Sequence, residues 1–369
     1  MGIFFLLCML YYAVFVCRAT FAFTHIQCQQ QPTRLRVSVV IPARNEEENL
    51  ESCLKAFLSQ SYPTSLYELI VVNDHSTDKT GDIAQAFAAR YPFFHAIHLT
   101  GDKQGKKAAL AAGVRKAKGE VVLQTDADCK VGKEWIEAMT QQFKPNTAMV
   151  SGPVELTFNK HSLFERLQCY EYMGLSVLGG GSIARNKPNM SNGANLGFRK
   201  SVFQEVEGYK GIDGVASGDD ELLMQKIDGL GKYDIVYAKC QKAIVQTPAL
   251  SDWKSFKAQR IRWVSKARYY INKRINITQS ISYLAFLGIP FCGILSCFYP
   301  FYLYWFLLIC SIKFLADAYN LYHAGIFFHK LHVLVYLLPL QLAYLFYVLW
   351  IGIVGNRVRS YIWKSREVS

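Results

Sequence analysis

Two aspartates one residue apart, Asp126 and Asp128, directly follow the apolar run Glu120 to Thr125. Carboxylates are hard oxygen ligands, and a pair at a strand end sets Mg²⁺ or Mn²⁺ where it can bridge protein and a diphosphate. A bland acidic turn has the same composition, because short acidic motifs recur by chance. A second polar run, Asn73-Asp74-His75-Ser76-Thr77-Asp78, follows the apolar Leu69 to Asn73 and, taken alone, reads first as ordinary helix capping. Farther along, Asp219, Asp220 and Glu221 stand together before Leu222, Leu223 and Ile227. Such a cluster suits the positive end of a helix dipole. It also suits general-base chemistry, since a carboxylate crowded by others and partly desolvated has its pKa raised toward the working range. The run Gln259-Arg260-Ile261-Arg262-Trp263 joins an amide, guanidinium groups and an indole. Gln and Arg match a diphosphate and Trp matches the face of a sugar ring, whereas a basic amphipathic helix lying on headgroups gives the same pattern.

These residues need elements to place them. Val37 to Ile41 is a β-branched run closed by Pro42, and Asn45 to Gln60 carries Leu50, Leu54, Phe57 and Leu58 at helical spacing. The alternation recurs with Leu69 to Asn73 before a helix from Asp78 to Arg90, and with Phe94 to Leu99 before Lys106 to Ala117. It recurs again with Glu120 to Thr125 before Lys133 to Phe143. Short apolar strands alternating with amphipathic helices predict an α/β fold with a doubly wound, mostly parallel sheet. Ligands bind such sheets beyond the carboxyl ends of the strands, which is where the acidic runs fall.

The two ends of the chain have a different character. Gly2 to Cys17 is uncharged and the apolar stretch continues past Arg18 to Phe23, about 20 residues and enough to span a hydrocarbon core. A transmembrane anchor over 1–23 is expected; a cleaved signal peptide is the alternative, without a basic n-region or a clear small-residue cleavage site. Ser280 to Ile312 is uncharged and broken near Pro300, and Leu331 to Val354 is a second such stretch with His332 in it, giving two or three segments over 278–355. The basic tail, 356–369, with Arg357, Arg359, Lys364 and Arg366, wants the same side as Lys273 and Arg274, which conflicts with three crossings. The 369 residues carry 41 Lys plus Arg against 28 Asp plus Glu, an excess of 13 positive charges that suits an anionic leaflet and phosphorylated substrates. Hydrophobic residues make up 51% and charged ones 19%, which excludes a disordered chain and a bundle of membrane helices throughout. None of the 10 cysteines forms a C-x-x-C pair, so neither a disulfide framework nor a zinc site is expected, and a reduced, cytosol-facing domain follows.

Taken in order, Val40-Ile-Pro-Ala-Arg-Asn-Glu46, Val72-Asn-Asp-His-Ser76, Thr125-Asp-Ala-Asp128, Gly218-Asp-Asp220 and Gln259-Arg-Ile-Arg-Trp263 resemble the membrane-associated family-2 inverting glycosyltransferases. The resemblance covers about Val37 to Trp263. It implies a glycosyltransferase A-type fold over 34–275, a nucleotide-sugar donor such as a uridine diphosphate sugar, and Mg²⁺ or Mn²⁺. On the matching positions, Ala43 and Glu46 would lie by the nucleotide, Asp74 would accept from the uracil ring, and Lys106 would sit near the diphosphate. Asp126 and Asp128 would take ribose or metal roles, Asp128 being the better metal ligand. Asp220 would be the base, Gln259 and Arg262 would hold the diphosphate, and Trp263 would stack on the acceptor. Asn192 and Gly193 fall loosely where the family lines the sugar and acceptor pocket. Two departures stand out: Gly218-Asp219 replaces the usual Thr-Glu, making Asp219 a rival base, and Ala111 stands where an Asn is common.

Other chemistries lack their motifs. Gly179-Gly-Gly181 has no following Lys-Ser/Thr and no G-x-G-x-x-G follows a strand; His329 and His332 read as interfacial and Cys129 as packing. Three functions fit: transfer of one or a few sugars to a lipid or glycan acceptor, processive polysaccharide synthesis, or a catalytically inactive scaffold. The expected setting is an integral protein of a bacterial inner membrane, in contact with membrane lipids and with no nucleic-acid partner, its oligomeric state left open.

Overall fold

The computed structural model describes residues 1–101, 104–215, 217–355, 361–363 and 366–368. Arg357, Arg359 and Lys364 of the basic tail lie outside them. After helix α1 (Gly2–Thr24) come β1 (Val37–Ala43), α2 (Leu50–Phe57), β2 (Tyr67–Asn73), α3 (Thr80–Arg90), β3 (Phe94–His98), α4 (Lys106–Lys116) and β4 (Val121–Gln124). Then follow β5 (Lys130–Val131), α5 (Trp135–Thr140), β6 (Thr147–Ser151), β7 (Val154–Thr157), α6 (Leu163–Ala184), β8 (Leu196–Arg199) and α7 (Lys200–Glu205). The remainder is α8 (Glu221–Asp228), β9 (Asp234–Tyr237), β10 (Val245–Pro248), α9 (Trp253–Ser265), α10 (Lys273–Ser296), α11 (Phe301–Phe327), α12 (Leu337–Gly355) and a terminal hairpin, β11 (Tyr361–Trp363) and β12 (Arg366–Val368).

The chain divides into two compact units. The α/β unit is built on a seven-stranded sheet in the order β3-β2-β1-β4-β8-β6-β9. The first four of these strands are parallel, β8 runs antiparallel to both β4 and β6, and β9 returns parallel to β6. Strands β1, β2 and β4 are buried on both faces, which is why they read as continuous apolar runs. A three-stranded sheet, β5-β10-β7, completes this unit.

Helix starts differ from the periodicity in an informative way. The helix expected from Asn45 begins only at Leu50, because Asn45 is left-handed, with φ 49°, and its side chain accepts from Thr77 N at 2.9 Å. Glu46 N donates to Thr80 Oγ1 at 2.7 Å. Asp78, where the next helix was expected to start, accepts from Thr80 N and Glu47 N, so α3 starts at Thr80. Polar side chains thus weld the loop after β1 to the loop after β2.

One expectation fails in this unit. Cys28 and Cys240 form a disulfide across 212 residues of sequence, with their Cα atoms 5.3 Å apart. Spacing rules detect local cysteine pairs, and a bridge joining residues this distant is invisible to them. The reading of a fully reduced domain without disulfides is corrected accordingly.

The helical unit contains α1, α6 and α9 to α12. Four stretches, Gly2–Thr24, Lys273–Ser296, Phe301–Phe327 and Leu331–Val354, are long and apolar enough to cross a membrane. The chain turns between α10 and α11 at Pro300, and α11 continues well past Ile312. Its charges are carried by mutual pairing: Lys313 Nζ lies 2.7 Å from Asp317 Oδ2, which also accepts from Gln341 Nε2 at 2.7 Å, and Asp317 Oδ1 accepts from Tyr12 Oη at 2.6 Å. Buried charge in such helices persists only when paired in this way. Helix α6 was not foreseen as an element, and Gly179-Gly-Gly181 lies within it. A Cβ on Gly181 would stand 1.8 Å from Ala19 O, so the glycine run lets the backbones of α6 and α1 touch.

Candidate active site

The site is built from chain that leaves the carboxyl ends of β1, β2 and β4. Ala43 closes β1, and its carbonyl accepts from Asp74 N at 2.8 Å. Asp74 is buried, and its Oδ2 accepts from Gly105 N at 3.0 Å while Oδ1 meets His75 Nδ1 at 3.1 Å. Gly105 has φ +94°, a conformation L side chains rarely adopt, and it is the residue from which α4 starts. Asp74 therefore fixes the origin of α4, and with it the two lysines that open the helix.

Lys106 is the electrostatic centre. Its Nζ lies 2.7 Å from Asp126 Oδ1 and 3.4 Å from Asp219 Oδ2. Burial alone would lower the Lys106 pKa, but Asp126 and Asp219 reverse this and raise it above the ordinary value, favouring the charged ammonium. Asp219 is the mirror case. Burial pushes its carboxyl up, and Lys106 followed by the amide of Gln124 brings it below the ordinary value.

Gln124, the last residue of β4 and fully buried, was missed by sequence reading. Its Nε2 donates to Asp219 Oδ2 and to Gly193 O, both at 2.9 Å. Gly193 N in turn donates to Asp220 Oδ2 at 2.9 Å, and Asp220 Oδ1 accepts from Glu221 N at 2.6 Å as the N-cap of α8. A Cβ on Gly193 would fall 2.7 Å from Asp219 Oδ2, 2.9 Å from Gln124 Nε2 and 3.1 Å from Lys106 Nζ, so only glycine closes this ring of contacts. Asn192 shapes the same turn, with Oδ1 accepting from Ala194 N at 2.9 Å. The two rival carboxylates are thus distinguished: Asp219 is buried and tied to a cation, whereas Asp220 is half-buried and held by backbone N–H groups.

The D-x-D pair is distinguished as well. Asp126 is engaged by Lys106, and Asp128 Oδ1 accepts from the buried Cys129 thiol at 3.6 Å. Burial and then Asp128 push that thiol well up, which keeps it a protonated donor. Glu46 belongs to the same neighbourhood: burial, then Asp128, Asp126 and Glu46, raise the Cys53 thiol. Among the described residues no three His, Cys, Asp or Glu side chains converge to form a metal cage. The donor set nevertheless fits Mg²⁺ or Mn²⁺ of the kind that takes one or two carboxylates and completes its shell with substrate phosphates and water.

Gln259, Arg262 and Trp263 lie on α9, in the helical unit. Between them Arg260, which the motif reading gave no role of its own, is buried with its Nη2 2.7 Å from Glu171 Oε2 of α6, and its guanidinium lies 4.1 Å from the centre of the Trp263 ring. Gln259 Oε1 accepts from Arg260 Nη1 at 3.1 Å. A buried charge with its partner on another helix leaves no periodic signal.

Comparison with known proteins gives this architecture a class. Residues 38–206 match the family described as glycosyl transferase family 2, so the chain contains a family-2 glycosyltransferase domain. The glycosyltransferase AglE of Haloferax volcanii is 33% identical over 172 residues, covering 46% of this chain and 54% of that protein. The poly-beta-1,6-N-acetyl-D-glucosamine synthase of Staphylococcus epidermidis is 29% identical over 238 residues, 62% of this chain and 53% of that one. The chain spans about half the length of the curated relatives it matches. Among solved structures, a mannosyltransferase from Pyrobaculum calidifontis in complex with GDP-Man and Mn²⁺ superposes with a TM-score of 0.56 at 20% identity, over 85% of this chain and 94% of that one. The fold is the glycosyltransferase A type.

Proposed function

We propose that this protein is an inverting, divalent-metal-dependent glycosyltransferase that moves a sugar from a nucleoside diphosphate sugar, of the uridine type, to a lipid or short-glycan acceptor at a membrane face. The observation that carries this reading is the Lys106-centred network, a charged ammonium shared by Asp126 and Asp219 and joined through Gln124 and Gly193 to Asp220. It sets a cation for a leaving diphosphate next to a carboxylate with lone pairs to spare.

In this reading Asp220 takes the proton from an acceptor hydroxyl. Each of its oxygens receives one backbone N–H and keeps a second lone pair for that proton. The acceptor oxygen attacks the anomeric carbon opposite the departing nucleoside diphosphate, and inversion follows. Lys106 neutralises charge on the leaving group, while Asp219 keeps Lys106 in place and ionised. Asp128, with diphosphate oxygens, would hold Mg²⁺ or Mn²⁺, which when bound supplies Lewis-acid neutralisation of the same leaving group. The roles of Asp74, Ala43 and Glu46 at the nucleotide, of Asn192 and Gly193 at the acceptor, and of Gln259, Arg262 and Trp263 rest on the motifs alone. The two cues to orientation disagree: Lys273 and Arg274 at the start of α10 favour the cytoplasmic side for that end, whereas the Cys28–Cys240 bridge favours an oxidising compartment for the α/β unit. The proposal is therefore confined to a membrane setting, a bacterial inner membrane being the expectation from the resemblance.

A second reading, processive synthesis, is favoured by the likeness to the staphylococcal poly-N-acetylglucosamine synthase. Membranes containing the protein, incubated with a panel of radiolabelled nucleotide sugars, separate the readings. Label extracted into organic solvent supports a lipid acceptor, label in an insoluble polymer supports processive synthesis, and no turnover of any donor defeats both.

A further inference from the structure

Lys106 has a neighbour that points to a different task. Lys107 is buried, and its Nζ donates to three backbone carbonyls: Ile212 O at 2.6 Å, Val215 O at 2.6 Å and Ser217 O at 2.8 Å. An ammonium has three donors and no acceptor, so this side chain is fully satisfied by one stretch of backbone. A buried lysine is costly unless paired and hydrogen-bonded, and besides these three carbonyls the ammonium acts on the Asp219 carboxylate, helping to hold it ionised.

The stretch it holds is one that backbone entropy would otherwise loosen. Gly208, Gly211 and Gly218 have φ of +52°, +82° and +81°, and Gly214 has open space around it. Glycine-rich backbone loses the most freedom on ordering. Gly218 directly precedes Asp219 and Asp220, so any drift of this stretch displaces both carboxylates from Lys106 and Gly193. Lys226 of α8 secures the earlier part, donating to Gly208 O at 2.6 Å and Lys210 O at 3.0 Å. Lys107 secures the part next to the carboxylates.

We propose that Lys107 is a positioning residue for the transfer step, clamping the glycine-rich stretch that ends at Gly218 to the start of α4 so that Asp220 stays in register with Lys106. The proposal rests on the reading of Asp220 as the base. Lys106 and Lys107, adjacent in sequence, both favour ionised Asp219, and Lys107 in addition holds the chain that presents it.

The test uses the full-length protein in detergent with Lys107→Met, Lys107→Gln and Lys107→Met combined with Gly214→Ala. Kinetics, thermal unfolding and amide hydrogen exchange are read side by side, and Asp220→Asn is measured in parallel. Lys107→Met should lower kcat by about 10²-fold, the scale of a misplaced catalytic group, while leaving donor KM within a few-fold. Exchange should accelerate at the amides of Gly208 to Gly218 and not in the strands. Gly214→Ala places a methyl in open space and removes backbone freedom, so the double variant should recover part of both losses. Lys107→Gln, which keeps two donors, should fall between wild type and Lys107→Met, and it serves as the measured variant if the latter does not fold. Unchanged exchange in this stretch overturns the clamp whatever the activity, and so does wild-type kcat in both single variants. If Asp220→Asn retains turnover, the base assignment has failed instead; if Asp220→Asn is inactive and Lys107→Met is not impaired, only the clamp has failed.

Discussion

Gly193 N donates to Asp220 Oδ2 at 2.9 Å, while the carbonyl of the same glycine accepts from Gln124 Nε2 at 2.9 Å. One residue therefore ties the proposed base to the strand end that carries the D-x-D pair. The neighbouring carboxylate, Asp219, is bound to the same glutamine but also to Lys106. The two adjacent aspartates thus differ in their partners, and the proposed roles differ with them.

If Asp220 is the base, Asp220→Asn should lower kcat by roughly 10²-fold or more with donor affinity preserved. Asp219→Asn should act through Lys106, raising donor KM as well as lowering kcat. It should also change the acid limb of stability. The Asp219 carboxyl is held below its ordinary value of 3.8, against the effect of burial, chiefly by Lys106. Its stabilising contribution is therefore complete above that ordinary value and is lost as pH falls through the lower folded one. Thermal unfolding between pH 6 and pH 2 should show a shallower acid loss in Asp219→Asn than in wild type. Identical acid limbs, or a larger kcat effect for Asp219→Asn than for Asp220→Asn, would reverse the assignment.

The strands and the acidic runs after them were legible because strand burial writes itself as apolar runs and because ligand sites fall at strand ends. Val37 to Ile41 is a case of the first, and Asp126 to Asp128 do follow the end of β4, where the second rule directs attention. What stayed hidden has a common cause. Gln124 reads as one more strand residue, Lys107 as a helix residue, and Glu171 with Arg260 as unrelated charges, because each owes its role to a partner far away in sequence. The Cys28–Cys240 bridge is the extreme case. Helix α6 escaped notice since its glycines, poor helix formers, are there to let α1 approach.

The metal prediction turns on the unlike partners of Asp126 and Asp128. Asp128→Asn removes the carboxylate that accepts from the Cys129 thiol and should abolish Mg²⁺- or Mn²⁺-dependent transfer with the fold intact. Excess chelator should do the same to wild type, with activity restored by added Mn²⁺. Full activity in Asp128→Asn, or wild-type turnover in chelator, would remove the metal from the mechanism.

The disulfide makes a prediction independent of catalysis. Purified protein alkylated without reductant should leave Cys28 and Cys240 unmodified and yield a peptide pair joined by that bond. Cys28→Ser should lower stability by about 2–4 kcal/mol, since the bridge closes a long loop, and the loss should appear as a fall in the unfolding temperature that reductant reproduces in wild type. Alkylation of both cysteines before reduction would show that the bond does not form.

Helix α9 offers the sharpest division of labour. Gln259 and Arg262, three residues apart, share a helix face, and Trp263 is turned by about a hundred degrees from Arg262. In the structure Trp263 is braced by the Arg260 guanidinium, itself fixed by Glu171. Arg262→Ala should weaken donor binding and depress both transfer and slow hydrolysis of the nucleotide sugar, because contacts to a leaving diphosphate serve water and acceptor alike. Trp263→Ala should suppress transfer while leaving hydrolysis and donor affinity nearly intact. Glu171→Ala leaves a buried guanidinium without its counter-charge, a change of about 3–5 kcal/mol, and should destabilise the protein measurably in detergent where Trp263→Ala does not. If Trp263 serves only as an interfacial anchor, its alanine variant in detergent will transfer sugar as wild type does. Parallel loss of transfer and hydrolysis in both the Arg262 and Trp263 variants would show that the two residues serve one site.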